Sequence, residues 1–133
     1  MDRDELAAWL RLLATPSVGR ESARKLLACY GSPQAAIAAS TSSRSQVVGS
    51  AAAQSLASSS AAIDALIVAT FDWLAQAPEE SARSVLTLGD PLYPAALLQS
   101  ADPPLLLYAQ GRTELLGSTS LAIVGSQIGR AHV

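Results

Sequence analysis

The chain has 133 residues, half of them hydrophobic but only 5% aromatic and 15% charged, and 26 are alanine. That length suits one domain, or one small domain with part of another, and excludes a two-domain enzyme. The net charge of −2 supplies no overall basic field, so any contact with nucleic acid has to be local. A single Cys29 and a single His132 exclude an internal disulfide and a zinc site built from Cys and His, and no cofactor is implied. The acidic start MDRDELAAWL is no secretory signal, and the apolar stretch at 65–69 is far too short to span a membrane. These features read as a reducing, cytoplasmic setting.

Asp2, with Glu5 three residues on, has the form of a helix-starting capping box. Leu6, Trp9, Leu10 and Leu13 then make one apolar stripe, predicting a helix over 4–14 that Pro16 closes. A second stripe, Ala23, Leu26, Leu27 and Tyr30, predicts a helix over 20–30 ending at Gly31. Ser32-Pro33 opens a third, through Ala39. From Ala35 to Ala62, 19 of 28 residues are Ala or Ser, which reads either as two short helices divided near Gly49 or as a poorly ordered connection. Ile63, Leu66, Ile67, Phe71 and Leu74 mark a last helix before Pro78.

Beyond Pro78 the pattern changes. Residues 84–88 read as a strand ending at the turn Gly89-Asp90-Pro91. The runs at 105–109 and 121–124 are of the unbroken apolar kind expected of buried parallel strands, with at most one helical turn between them at Glu114. The division is thus a helical unit over 1–78 and the start of an α/β unit over 79–126. With too few residues for a complete doubly wound sheet, the strands are expected to keep exposed apolar edges.

Two places carry chemistry. Thr15-Pro16-Ser17-Val18-Gly19-Arg20 joins the first two helices, and the free amides of the second helix's first turn, with its dipole, can hold a phosphate there. Arg20, Arg24 and Lys25 lie beside that turn, and residues 1–32 hold five basic against four acidic side chains. An ordinary helical hairpin with solvated charges is the other reading. The second place is the strand run ending in Gly125-Ser126, the way a Rossmann-type sheet opens its phosphate-binding turn, or equally a core strand ending in a turn. Asp90 and Asp102 read as carboxylates capping backbone amides in turns. Cys29, Trp9, Trp73, Tyr93 and Tyr108 read as packing residues.

The residues Trp9-Leu10-Arg11-Leu12-Leu13, Val18-Gly19, Leu26-Leu27 and Tyr30-Gly31-Ser32-Pro33 resemble the N-terminal domain of the DNA-processing protein A (DprA, also called Smf) family. So, in order and spacing, do Leu86-Thr87-Leu88-Gly89-Asp90-Pro91-Leu92-Tyr93-Pro94, Asp102-Pro103-Pro104-Leu105-Leu106-Leu107-Tyr108 and Ala122-Ile123-Val124-Gly125-Ser126. The resemblance implies an α/β protein: an N-terminal all-helical, sterile-alpha-motif-like (SAM-like) domain of helix-hairpin-helix type, followed by an incomplete Rossmann-like α/β domain. It implies a bacterial, cytoplasmic, non-enzymatic protein that binds single-stranded DNA and helps load the RecA recombinase during natural transformation, with a homodimer in the full-length parent. Gly19, Arg20, Arg24, Lys25, Gly125 and Ser126 are the expected DNA contacts. Where the family carries an arginine after Gly-Ser, this chain has Gln127, removing one charge-assisted phosphate contact. The chain reads as an N-terminal fragment, with 127–133 a non-native tail. The codons ATC GGA AGA GCA CAC GTC, resembling a sequencing adapter, would encode its last six residues. Two readings from other classes are a helical protein-interaction module, favoured by the two basic and four acidic residues of 33–83, and a piece of a Rossmann-type nucleotide-processing enzyme.

Overall fold

In the computed structural model residues 1–118 are described. Helices α1 (Arg3–Ala14), α2 (Arg20–Tyr30), α3 (Pro33–Ala38), α4 (Thr41–Val48), α5 (Ser50–Ser55) and α6 (Ala61–Ala75) come first. Strand β1 (Arg83–Thr87), the one-turn helix α7 (Ala95–Leu98), strand β2 (Leu106–Gln110) and a 3-10 turn (Thr113–Gly117) follow.

Short polar side chains begin four of these helices by accepting an amide the helix itself leaves open. Asp2 takes the N–H of Glu5 at 2.7 Å, Ser32 that of Ala35 at 3.1 Å, Ser40 that of Ser43 at 3.0 Å and Ser60 that of Ile63 at 3.2 Å. The Ala/Ser-rich stretch is therefore ordered into helices, the first of its two readings. Its dividing residue, Gly49, sits at φ 89°, ψ 166°, a region closed to residues with a Cβ. Gly49→Ala is expected to cost about 1–3 kcal/mol although its methyl group would meet nothing within 4 Å. Urea denaturation measures this, and an unchanged midpoint would show that the α4–α5 corner relaxes freely.

Helix α1 packs on α3 and α6, α2 on α3 and α4, and α4 on α5. One cluster gathers Trp9, Leu12, Val18, Leu26, Ala36 and Leu56, and Leu105 enters it from the segment before β2. A second joins Leu6 and Leu10 to Val85 of β1, with Ile67, Phe71 and Leu74 of α6 against it. The strand region thus shares its core with the helices.

The strands pair antiparallel, Val85 opposite Tyr108 and Leu86 opposite Leu107, which corrects the parallel expectation. A parallel pair needs a crossover, usually helical, that returns the chain to the same end of the sheet; the connection here holds only the four-residue α7. Instead, the Leu88 N–H reaches the Leu105 carbonyl at 3.0 Å and starts the return strand directly. The far end of β1 is covered, with Val85, Leu86 and Thr87 all buried, while Arg83 and Ser84 at its start are partly exposed. On β2, Tyr108 stays half-exposed. The run at 121–124 lies outside the described residues.

One polar side chain is buried where the sequence offered no hint of it. Arg44 of α4 is 2% exposed. Its guanidinium donates to the carbonyls of Ala36 (3.4 Å), Ile37 (2.9 Å) and Ala39 (2.5 Å) at the end of α3, and to that of Ala53 (3.1 Å) in α5. A cation at two helix C-termini meets both their unpaired carbonyls and the negative ends of their dipoles.

Candidate nucleic-acid interface

The hairpin between α1 and α2 is fixed from both sides. Thr15 is buried, its hydroxyl donating to the Arg11 carbonyl, and Val18 is buried in the core below the turn. The Val18 N–H returns to the Thr15 carbonyl at 3.2 Å, which places Ser17 at φ 71°, an unusual conformation for a residue with a side chain. Pro16, Ser17 and Gly19 are left facing solvent.

Gly19 is the N-cap of α2 and has no side chain to close it. The first bond within the helix runs from the Ala23 N–H to the Gly19 carbonyl at 2.9 Å. The amides of Arg20, Glu21 and Ser22 therefore have no protein partner among the described residues, at the positive end of the helix dipole. A Cβ at Gly19 would meet no atom within 4 Å, so the space beside the cap residue is open.

Arg20 and Arg24, one helical turn apart, converge on a single carboxylate. Arg20 Nη2 lies 2.8 Å from Asp102 Oδ2, while Arg24 Nη2 bonds Asp102 Oδ1 and also donates to the Pro103 carbonyl at 2.7 Å. Lys25, more exposed, is 3.5 Å from Glu21 on its own helix. The hydrogen bond from Arg24, with the positive charge of Arg20 and against some desolvation, holds the Asp102 carboxyl below the ordinary aspartate value of 3.8. A depressed folded-state pKa stabilises the fold above the ordinary carboxylate range, and that contribution disappears as pH falls through the folded value. Thermal denaturation is accordingly expected to show a gap between wild type and Asp102→Asn at pH 7 that narrows in acid; a constant gap would contradict it.

Of the expected contacts, the structure brings together Gly19, Arg20 and Arg24, with Lys25 alongside, while Gly125, Ser126 and the tail lie outside the described residues. Asp90 caps its turn as expected, accepting the Leu92 N–H at 2.9 Å. Asp102 does not cap a turn amide: its oxygens are taken by the two arginines. Cys29 is exposed rather than packed, because it falls on the solvent side of α2. Trp9 is buried, and so is Tyr93, whose hydroxyl donates to the Pro104 carbonyl at 2.6 Å. Trp73 meets half-exposed Tyr108 edge-on at 5.6 Å, with the Arg83 guanidinium 5.0 Å from the Trp73 ring centre. Among the described residues no three His, Cys, Asp or Glu side chains are grouped to hold a metal, and no helix is long and apolar enough to cross a membrane.

Comparison with known families places matches at both ends of the chain. The family described as DNA recombination-mediator protein A matches residues 84–130, which hold β2 and all of β1 but its first residue and run four residues past Ser126. The DprA-like N-terminal HHH domain matches residues 3–41, which hold α1, the hairpin, α2 and α3. No curated protein and no solved structure matches the chain. Together the two matched regions cover well over half of the sequence, in the order of the motifs read from it, and the chain belongs to the DprA family of DNA-processing proteins.

Proposed function

We infer that the chain is the N-terminal part of a non-catalytic recombination mediator that captures single-stranded DNA by its phosphates. The observation that carries this reading is the solvent end of α2, where three unpartnered amides stand beside Arg20, Arg24 and Lys25 in a chain of a DNA-processing family. Gly125 and Ser126 would supply further backbone and hydroxyl donors. In the full-length protein this capture serves delivery of the strand to the RecA recombinase in natural transformation, in the cytoplasm and as a homodimer.

Fluorescence anisotropy of the full chain with a labelled oligothymidylate tests the reading. Binding is expected at about 50 mM salt and is expected to fall steeply by about 200 mM, because each phosphate contact releases counterions. Gly19→Asp separates binding from folding. Its carboxylate would cap the open amides, raising stability by a few tenths of a kcal/mol while repelling and displacing phosphate. A Gly19→Asp protein that binds as well as wild type would remove the α2 terminus from the interface. No binding by wild type at low salt would favour a protein-interaction role, for which exposed Leu66 on α6, beside Ala69, Trp73 and half-exposed Tyr108, offers an apolar patch.

A further inference from the structure

We propose that Asp102 is an internal competitor for the phosphate site, occupying the Arg20–Arg24 pair in the free protein and giving it up when nucleic acid binds. The proposal rests on the reading of α2 as a phosphate-binding surface and adds what that surface does when empty of ligand. Its basis is the division of contacts: each Asp102 oxygen is held by a different guanidinium, Oδ2 by Arg20 and Oδ1 by Arg24. Two arginines sharing one two-oxygen anion present to it the donors they would present to two oxygens of a phosphodiester.

The contact is built to be displaced. Side-chain exposures of 49% for Asp102 and 53% for Arg20 leave that half of the contact screened by solvent, while Arg24, 29% exposed, is the firmer hold that a ligand has to replace. The ligand meets the free amides of Arg20, Glu21 and Ser22 at the same place, contacts a single carboxylate does not use. Arg24 also keeps the Pro103 carbonyl at 2.7 Å, so the loop is held by a second bond as Asp102 leaves.

Two consequences follow. A lone anion competes poorly, whereas a strand offering successive phosphates replaces the carboxylate and gains the amides as well, which selects polyanions over single charges. Binding also frees part of the loop that leads directly into Leu105 and β2, so ligand at the helical end is felt at the strand end.

The experiment is anisotropy on the full chain with labelled oligothymidylate at low salt, comparing wild type, Asp102→Asn and Arg20→Ala/Arg24→Ala. Removing the competitor is expected to tighten binding roughly three- to tenfold, because the site no longer has to be vacated. Unchanged or weaker binding by Asp102→Asn, beside a wild type that binds and an arginine variant that does not, overturns the competitor and leaves the proposed function standing. Absence of binding in both wild type and Asp102→Asn overturns the two together. Should Asp102→Asn lose its helical circular dichroism, the wild type decides. The 13C resonance of the Asp102 carboxyl is expected to move as oligothymidylate is added, and a resonance unmoved at saturation overturns the proposal.

Discussion

Arg44→Met is expected to cost about 2–6 kcal/mol, the largest loss from any single polar side chain described. The estimate follows from the carbonyls of Ala36 and Ala53, whose bonds to Arg44 are fully buried and whose loss costs roughly 1–3 kcal/mol each. The bonds to Ile37 and Ala39 are partly open, so water can replace them and they add little. Methionine retains much of the volume, which separates the polar effect from a cavity. Arg44→Lys keeps the charge but offers one nitrogen where the guanidinium reaches two helix ends, and an intermediate loss is expected. Urea denaturation followed by circular dichroism measures both. A methionine variant within about 0.5 kcal/mol of wild type would show that these carbonyls find other donors.

The second large effect is on binding. Arg20→Ala/Arg24→Ala/Lys25→Ala is expected to weaken oligothymidylate binding by one to two orders of magnitude at low salt. The slope of log affinity against log salt should also flatten by about 2, since each lost contact to a single strand removes roughly 0.7. The two readouts discriminate: a fall in affinity at unchanged slope would mean that these three side chains do not contact phosphate. Circular dichroism checks that the variant keeps its fold: Arg20 and Lys25 are exposed, but Arg24 is half-buried and bonds both Asp102 and the Pro103 carbonyl.

Much of this was readable from residue spacing. The stripe Ala23, Leu26, Leu27, Tyr30 with Gly31 behind it defined α2 to the residue, because periodicity and a left-handed cap are both local signals. Ser32-Pro33 marked the start of α3 as well, while α6 ends at Ala75, three residues before the Pro78 expected to close it. Strand direction was not readable, because Val85 and Leu86 are buried in an antiparallel pair just as they would be in a parallel one. The partner of Arg20 and Arg24 was not legible either: Asp102 lies 78 residues beyond Arg24, and its Ala-Asp-Pro setting resembles any turn. Arg44 was hidden for a related reason. Nothing in an Ala/Ser-rich stretch distinguishes a solvated arginine from one whose partners are carbonyls, which every residue has.

Leu105, buried among Trp9, Leu12 and Leu26, sets an order on how the chain can mature. On the ribosome, the first two helices are synthesised long before the residue that fills the space between them. They must wait, with part of their apolar surface open, until the segment before β2 leaves the exit tunnel. Final consolidation of the bundle is thus a late, sequence-distant event, and the nascent helices are the stage at which a chaperone would find something to hold.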